Sequence, residues 1–142
     1  TMFFCVFWVC LMLYVSKKIT LTKNDFDVVI NNGKYSHELF ADFENSELSK
    51  KYNSQPFPGQ YILFLAGGLA EEDENLPKDI IAMSSIENLN FYMPGLIGDK
   101  IYLKASIDSM NDTKYTYSWE IFNGENFKLL DCKVNFIRNV KK

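Results

Sequence analysis

The order of patterned segments predicts an α+β domain in which one long antiparallel sheet wraps around a single buried apolar helix. Three observations carry this expectation. The stretch Gln60 to Ala70, QYILFLAGGLA, is apolar around nearly its full circumference, as a buried helix is. Behind it come four long β-prone stretches: Ile80 to Tyr92, Lys100 to Ser109, Lys114 to Phe122, and Phe127 to Val140. Turn signals separate them, Met93-Pro94-Gly95 and Asn123-Gly124. Strands this long bury one face well, and one helix against that face completes the layers of a domain.

The elements follow in chain order. Met2 to Val15 is a run of fourteen apolar residues, short of the roughly 20 that a membrane-spanning helix needs. No Lys or Arg precedes the run and no small-residue cleavage site follows it, which does not fit a secretory leader. Three readings stand for it: a very short anchor, a buried strand or helix, or an extension ahead of the domain. The expected division is an apolar extension over 1–16 and a single domain over 17–142, with no membrane partner. Lys17 to Thr22 is β-prone. Thr22 and Asp25 have the spacing of a capping box, and Phe26, Val29 and Ile30 then recur at helical spacing. Gly33 is the expected stop of that helix. Asp42 to Tyr52 is polar and helix-prone, with Phe43 and Leu48 as anchors. Gln55-Pro56-Phe57-Pro58-Gly59 forbids a helix interior. Gly67 and Gly68 lower the propensity of the apolar helix by about 1 kcal/mol each, so close packing against the sheet is the expected compensation. In the strands, Ile101, Leu103, Ala105 and Ile107 share one face, and Tyr115, Tyr117, Trp119 and Ile121 share another. These aromatics are core, interface or tunnel-lining residues. Asn123-Gly124 predicts a two-residue hairpin loop.

Composition excludes several classes. A chain of 142 residues is one domain's worth. With 47% hydrophobic and 23% charged residues it is not disordered or low-complexity. Fifteen basic against 18 acidic residues, a net charge of -3, does not suit a nucleic-acid binder. Three cysteines make no disulfide framework, and one His leaves no Cys/His zinc set. No metal and no cofactor are expected. Free buried thiols point to a reducing, cytoplasmic setting.

Three pieces of sequence together resemble the hot-dog fold and, within it, the MaoC-like dehydratase family. Pro58-Gly59 resembles the opening of that family's central helix. Phe91-Tyr92-Met93-Pro94-Gly95-Leu96-Ile97-Gly98-Asp99 resembles its F-x-x-P-x-x-x-G-D segment. Asn123-Gly124 falls where the family joins its last two strands. The match spans roughly Lys17 to Arg138. The resemblance implies an acyl-thioester substrate on coenzyme A or acyl carrier protein, and reversible hydration of an enoyl chain. It also implies an Asp/His general acid–base pair and a helix N-terminus that receives the thioester carbonyl. It further implies a homodimer paired through sheet edges, for which exposed strand edges give a physical motive.

The sequence departs from the family where the chemistry sits. The G-D-x-N-P-x-H segment is replaced by Gly33-Lys34-Tyr35-Ser36-His37-Glu38-Leu39-Phe40. Lys34 stands in the place of the Asp, and Leu39 or Phe40 in the place of the His. The other hot-dog dehydratases use a His in an H-F-P motif before the helix and an acid within it; here Gln55-Pro56-Phe57-Pro58 holds no His, and Phe64 takes the place of the acid. His37 with Asp42 is the candidate for a displaced catalytic pair, set against a solvated loop His. Phe57, Gly59 and Gln60 are the candidate substrate-binding residues, with Gly59 either receiving a carbonyl or merely starting the helix. Three functions follow: a hydratase or dehydratase with an altered site, a non-catalytic acyl-CoA-binding or structural hot-dog subunit, and a hot-dog thioesterase.

Overall fold

A computed structural model describes residues 13–139. Its sheet is antiparallel, with strands β1 (Leu13–Val15), β2 (Ile19–Thr20), β3 (Ile80–Phe91), β4 (Lys100–Met110), β5 (Lys114–Asn123) and β6 (Lys128–Arg138). They run in the order β1-β4-β5-β6-β3, with β2 also on β4. The helices are α1 (Lys23–Gly33), the short α2 (Glu38–Ala41) and α3 (Gly59–Glu71). The tail of the apolar run is therefore an edge strand, with Tyr14 opposite Ala105 and turned to the core. The rest of that run, with Cys5 and Cys10, lies outside the described residues. Among the described residues no helix is long and apolar enough to cross a membrane.

The core lies between the inner sheet face and α3. Ile101, Leu103, Trp119, Ile121, Leu130 and Val134 are buried from the sheet, and Ile62, Ala66 and Leu69 from the helix. Each fully buried aliphatic of this size contributes about 1.5–3 kcal/mol. Tyr115 and Tyr117 belong to the same core, and burial pushes the Tyr117 hydroxyl up to about 12.

The capping box forms as the sequence predicts. Thr22 Oγ1 accepts from the Asp25 N–H at 3.1 Å, and the Asp25 carboxylate accepts from the Thr22 N–H at 3.4 Å. The stop falls one residue later than expected: Lys34, not Gly33, is left-handed, at φ 59°. Gly33 serves another end, since a Cβ there would lie 2.5 Å from the Tyr35 ring. The polar stretch after Asp42 forms two 3₁₀ turns, Phe43–Asn45 and Glu47–Lys50, in place of a helix. Ser46 Oγ donates to the Phe43 carbonyl at 2.8 Å and Ser49 Oγ to the Ser46 carbonyl at 2.8 Å, local bonds that compete with a helical ladder.

α3 is buried on one side only. Phe64 is 73% exposed, and a Cβ on Gly67 or Gly68 would meet nothing within 4 Å. Close packing at these two glycines, expected from the sequence, is not found. The last hairpin also differs. Four residues, Gly124 to Phe127, connect β5 and β6. Asn123 Oδ1 accepts from the Glu125 and Phe127 N–H groups at 3.0 Å each, and Asn126 is left-handed at φ 67°. The Asn123 side chain therefore turns the backbone, without a two-residue turn at Asn-Gly.

Candidate functional site

The segment after β3 is tied down on both sides. Phe57 N–H donates to the Gly95 carbonyl at 2.9 Å, and Ile97 N–H to the Gln55 carbonyl at 2.9 Å. Gly98 N–H donates to the Leu21 carbonyl at 2.7 Å, and Leu21 N–H to the Asp99 carbonyl at 2.8 Å. Gly98 takes φ 97°, open to glycine at little strain, and the Asp99 carboxylate accepts from the Leu96 N–H at 2.8 Å. Gly95 is needed for contact: a Cβ would fall 2.9 Å from both Ile62 Cδ1 and Leu21 Cδ1. The Gly98-Asp99 end of the Pro-x-x-x-Gly-Asp pattern thus ties the loop to Leu21, and Gly95 brings it against Ile62 of α3.

Between loop and helix lies a cavity of about 480 Å³. Phe57, Gly59 and Gln60, the three substrate-binding candidates, all line it. Phe91, Met93 and Leu130 supply much of its apolar wall. Gly59 opens α3, and a Cβ on it would fall 2.7 Å from the Phe91 ring. Pro58 precedes the helix and offers no side-chain cap. Tyr61 N–H donates to the Pro58 carbonyl at 3.0 Å, the Gly59 and Gln60 N–H groups have no acceptor within the helix, and the helix dipole favours negative charge there. This end of the cavity suits a carbonyl oxygen or oxyanion.

None of the residues lining the cavity is Asp, Glu, His or Lys. Tyr92 brings its one titratable side chain. The Tyr92 hydroxyl donates to Asp131 Oδ2 at 2.9 Å, and this bond raises it above the ordinary tyrosine value. Burial pulls Asp131 upward, but bonds from Tyr92, Lys128 and Asn90 outweigh it and hold the carboxyl below its usual range. Lys128 also bridges to Glu120 at 2.9 Å. Tyr92 thus stays protonated and engaged at neutral pH.

The acid–base candidates sit elsewhere. His37 is exposed and caps α2, its Nδ1 accepting from the Leu39 N–H at 3.1 Å. Asp42 accepts from Asn45 Nδ2 at 2.9 Å and lines a separate depression with Phe40, Phe43 and Gln55. Neither lines the cavity at α3. Among the described residues no cluster of three His, Cys, Asp or Glu is placed to hold a metal. Cys132 is buried in β6, and burial pushes its thiol up to about 11.

The cavity residues that sequence reasoning missed are those brought in by β6 and the end of β3. Phe91 and Met93 lay inside a recognised segment without a role. The Tyr92–Asp131 pair joins residues 39 apart and had no local signal.

One antiparallel sheet against a central helix, with a Pro-Gly helix start beneath a stitched loop, is the hot-dog fold. Solved structures share it closely. A monoamine oxidase regulatory protein from Archaeoglobus fulgidus is 19% identical, with a TM-score of 0.74 over 92% of this chain and 90% of that one. A MaoC-like dehydratase from Rhodospirillum rubrum is 13% identical, with a TM-score of 0.70 over 92% of both chains. A 3R-hydroxyacyl-ACP dehydratase complex from Mycobacterium tuberculosis is 14% identical, with a TM-score of 0.67 over 88% of this chain and 95% of that one. The structural resemblance is thus to MaoC-like dehydratases and their relatives. No family model matches the sequence, and no curated protein matches it.

Proposed function

We infer that this chain is a hot-dog acyl-thioester-binding protein of the MaoC-like kind that does not carry out hydration through an Asp/His pair. One observation carries the reading. The uncapped start of α3 opens on an apolar cavity whose lining holds no acid or base able to move a proton at neutral pH. A thioester offers a carbonyl oxygen for the helix start and an apolar chain for the walls. The dehydratases that share the fold make a thioester the first ligand to test.

The chain pairs with a second copy through β3. That strand is the edge of the sheet opposite β1 among the described residues, and Ile81, Met83 and Ile86 are exposed along it. A twelve-residue edge strand that exposes apolar side chains is an aggregation liability unless it is paired.

The test is titration of the purified protein with crotonyl-CoA and a longer enoyl-CoA, with calorimetry and the enoyl absorbance followed together. Saturable binding with constant absorbance is expected. Loss of absorbance without thiol release that disappears in His37→Ala would instead establish the displaced pair, and thiol release from a saturated acyl-CoA would establish a thioesterase.

A further inference from the structure

A second apolar depression lies between α1 and α3, with a volume of about 450 Å³. Val28, Val29, Tyr35, Tyr61 and Phe64 supply its apolar lining, and Asp25 is its one acidic residue. Two features join it to the cavity at the start of α3. Gln60 lines both. A strip of rings also leads from one to the other. Phe57, in the first cavity, stacks on Tyr61 at 5.3 Å between centroids and 19° between planes. Tyr61 stacks on Phe64 at 5.9 Å and 18°. The helix start is polar and the strip is apolar, which is the order of a thioester carbonyl followed by its hydrocarbon. Gly33 keeps the far wall in place, because only a residue without Cβ lets the Tyr35 ring lie against it.

We propose that the α1–α3 depression receives the hydrocarbon chain of a medium- or long-chain acyl thioester whose carbonyl sits at the start of α3. This rests on the acyl-thioester reading above and adds the class of chain. A short acyl group is held by the first cavity alone. Each further methylene passes over Gln60 onto the Tyr61–Phe64 strip and leaves water there.

The experiment is calorimetric titration of the full chain with butyryl-, octanoyl- and dodecanoyl-CoA. Affinity is expected to rise about two- to fourfold per added methylene over part of this series, the range set by burial of one CH₂ group. Phe64→Glu and Val28→Glu both place a charge at exposed positions of the strip or its rim. Each is expected to lower the ratio of dodecanoyl- to butyryl-CoA affinity at least tenfold, a ratio that a general loss of binding would not change. Thermal melts confirm that each variant folds. A flat wild-type series with butyryl-CoA bound overturns the chain proposal and leaves the thioester reading standing. A ratio unchanged in both variants overturns it too. So does a dimer that dissociates in either variant at the same concentration, which would assign this face to a second copy. If no CoA ester binds at all, both readings fall.

Discussion

Gly67 and Gly68 give the sharpest energetic prediction, because sequence and structure assign them opposite signs. Read as packing glycines, they resist any side chain. In the structure a Cβ on either meets no atom within 4 Å, and neither has a positive φ. No clash then offsets the helix propensity gained, and Ala is favoured over Gly in a helix interior by about 0.8–1.0 kcal/mol. Adjacent helix residues do not face each other, so the two gains add to about 2 kcal/mol. For a domain of this size about 1 kcal/mol moves the midpoint by about 4 °C. Gly67→Ala and Gly68→Ala should each raise Tm by about 4 °C, and the double variant by about 8 °C. Thermal and urea unfolding followed by circular dichroism read this directly. A lower Tm in either single variant would refute the reasoning, since it requires a close neighbour on that face. Repeating the melt at several protein concentrations would show whether the neighbour is a second copy.

Gly95 should behave in the opposite way. A methyl there meets the side chains of Ile62 and Leu21 at 2.9 Å, both in the core. Gly95→Ala should therefore destabilise by about 1–3 kcal/mol through overpacking, seen as a lower urea midpoint. An unchanged midpoint would mean that the loop does not press on α3. Asp79 makes stability depend on pH. The Tyr115 hydroxyl, donating at 2.6 Å, and then the Arg138 guanidinium hold its carboxyl below the ordinary value of 3.8. A lowered folded value means that its stabilisation is complete above pH 3.8 and is lost as pH falls through the folded value. Wild type and Asp79→Asn should differ at neutral pH and converge in acid. A gap that stays constant through the acid transition contradicts this.

Much of the fold was legible because its signals are local. The Thr22/Asp25 box, the alternation along β4 and β5, and the prolines ahead of α3 depend only on near neighbours in the chain. β1 was hidden because its outward residues, Leu13 and Val15, are themselves apolar and exposed, so no alternation marks it within the run. The roles of Gly33 and Gly59 were out of reach for a different reason. Each is a glycine because of one ring, Tyr35 or Phe91, and the geometry of that contact leaves no trace in spacing. Phe57, Gly59 and Gln60 line one cavity because they lie together at the start of one helix, a nearness the sequence already shows. His37 and Asp42 were chosen by nearness in sequence to the segment where the resembling family carries its pair. The structure places His37 at a helix cap and Asp42 on Asn45, and neither lines the cavity at α3.

The central claim is that a thioester carbonyl is received at the uncapped start of α3. The most direct measurement is the amide spectrum of isotope-labelled protein titrated with crotonyl-CoA. The Gly59 and Gln60 N–H resonances should show the largest shifts, moving downfield with one saturating profile, while the enoyl absorbance stays constant. Shifts centred on His37 and Asp42, or saturable binding that leaves Gly59 and Gln60 unmoved, would contradict it.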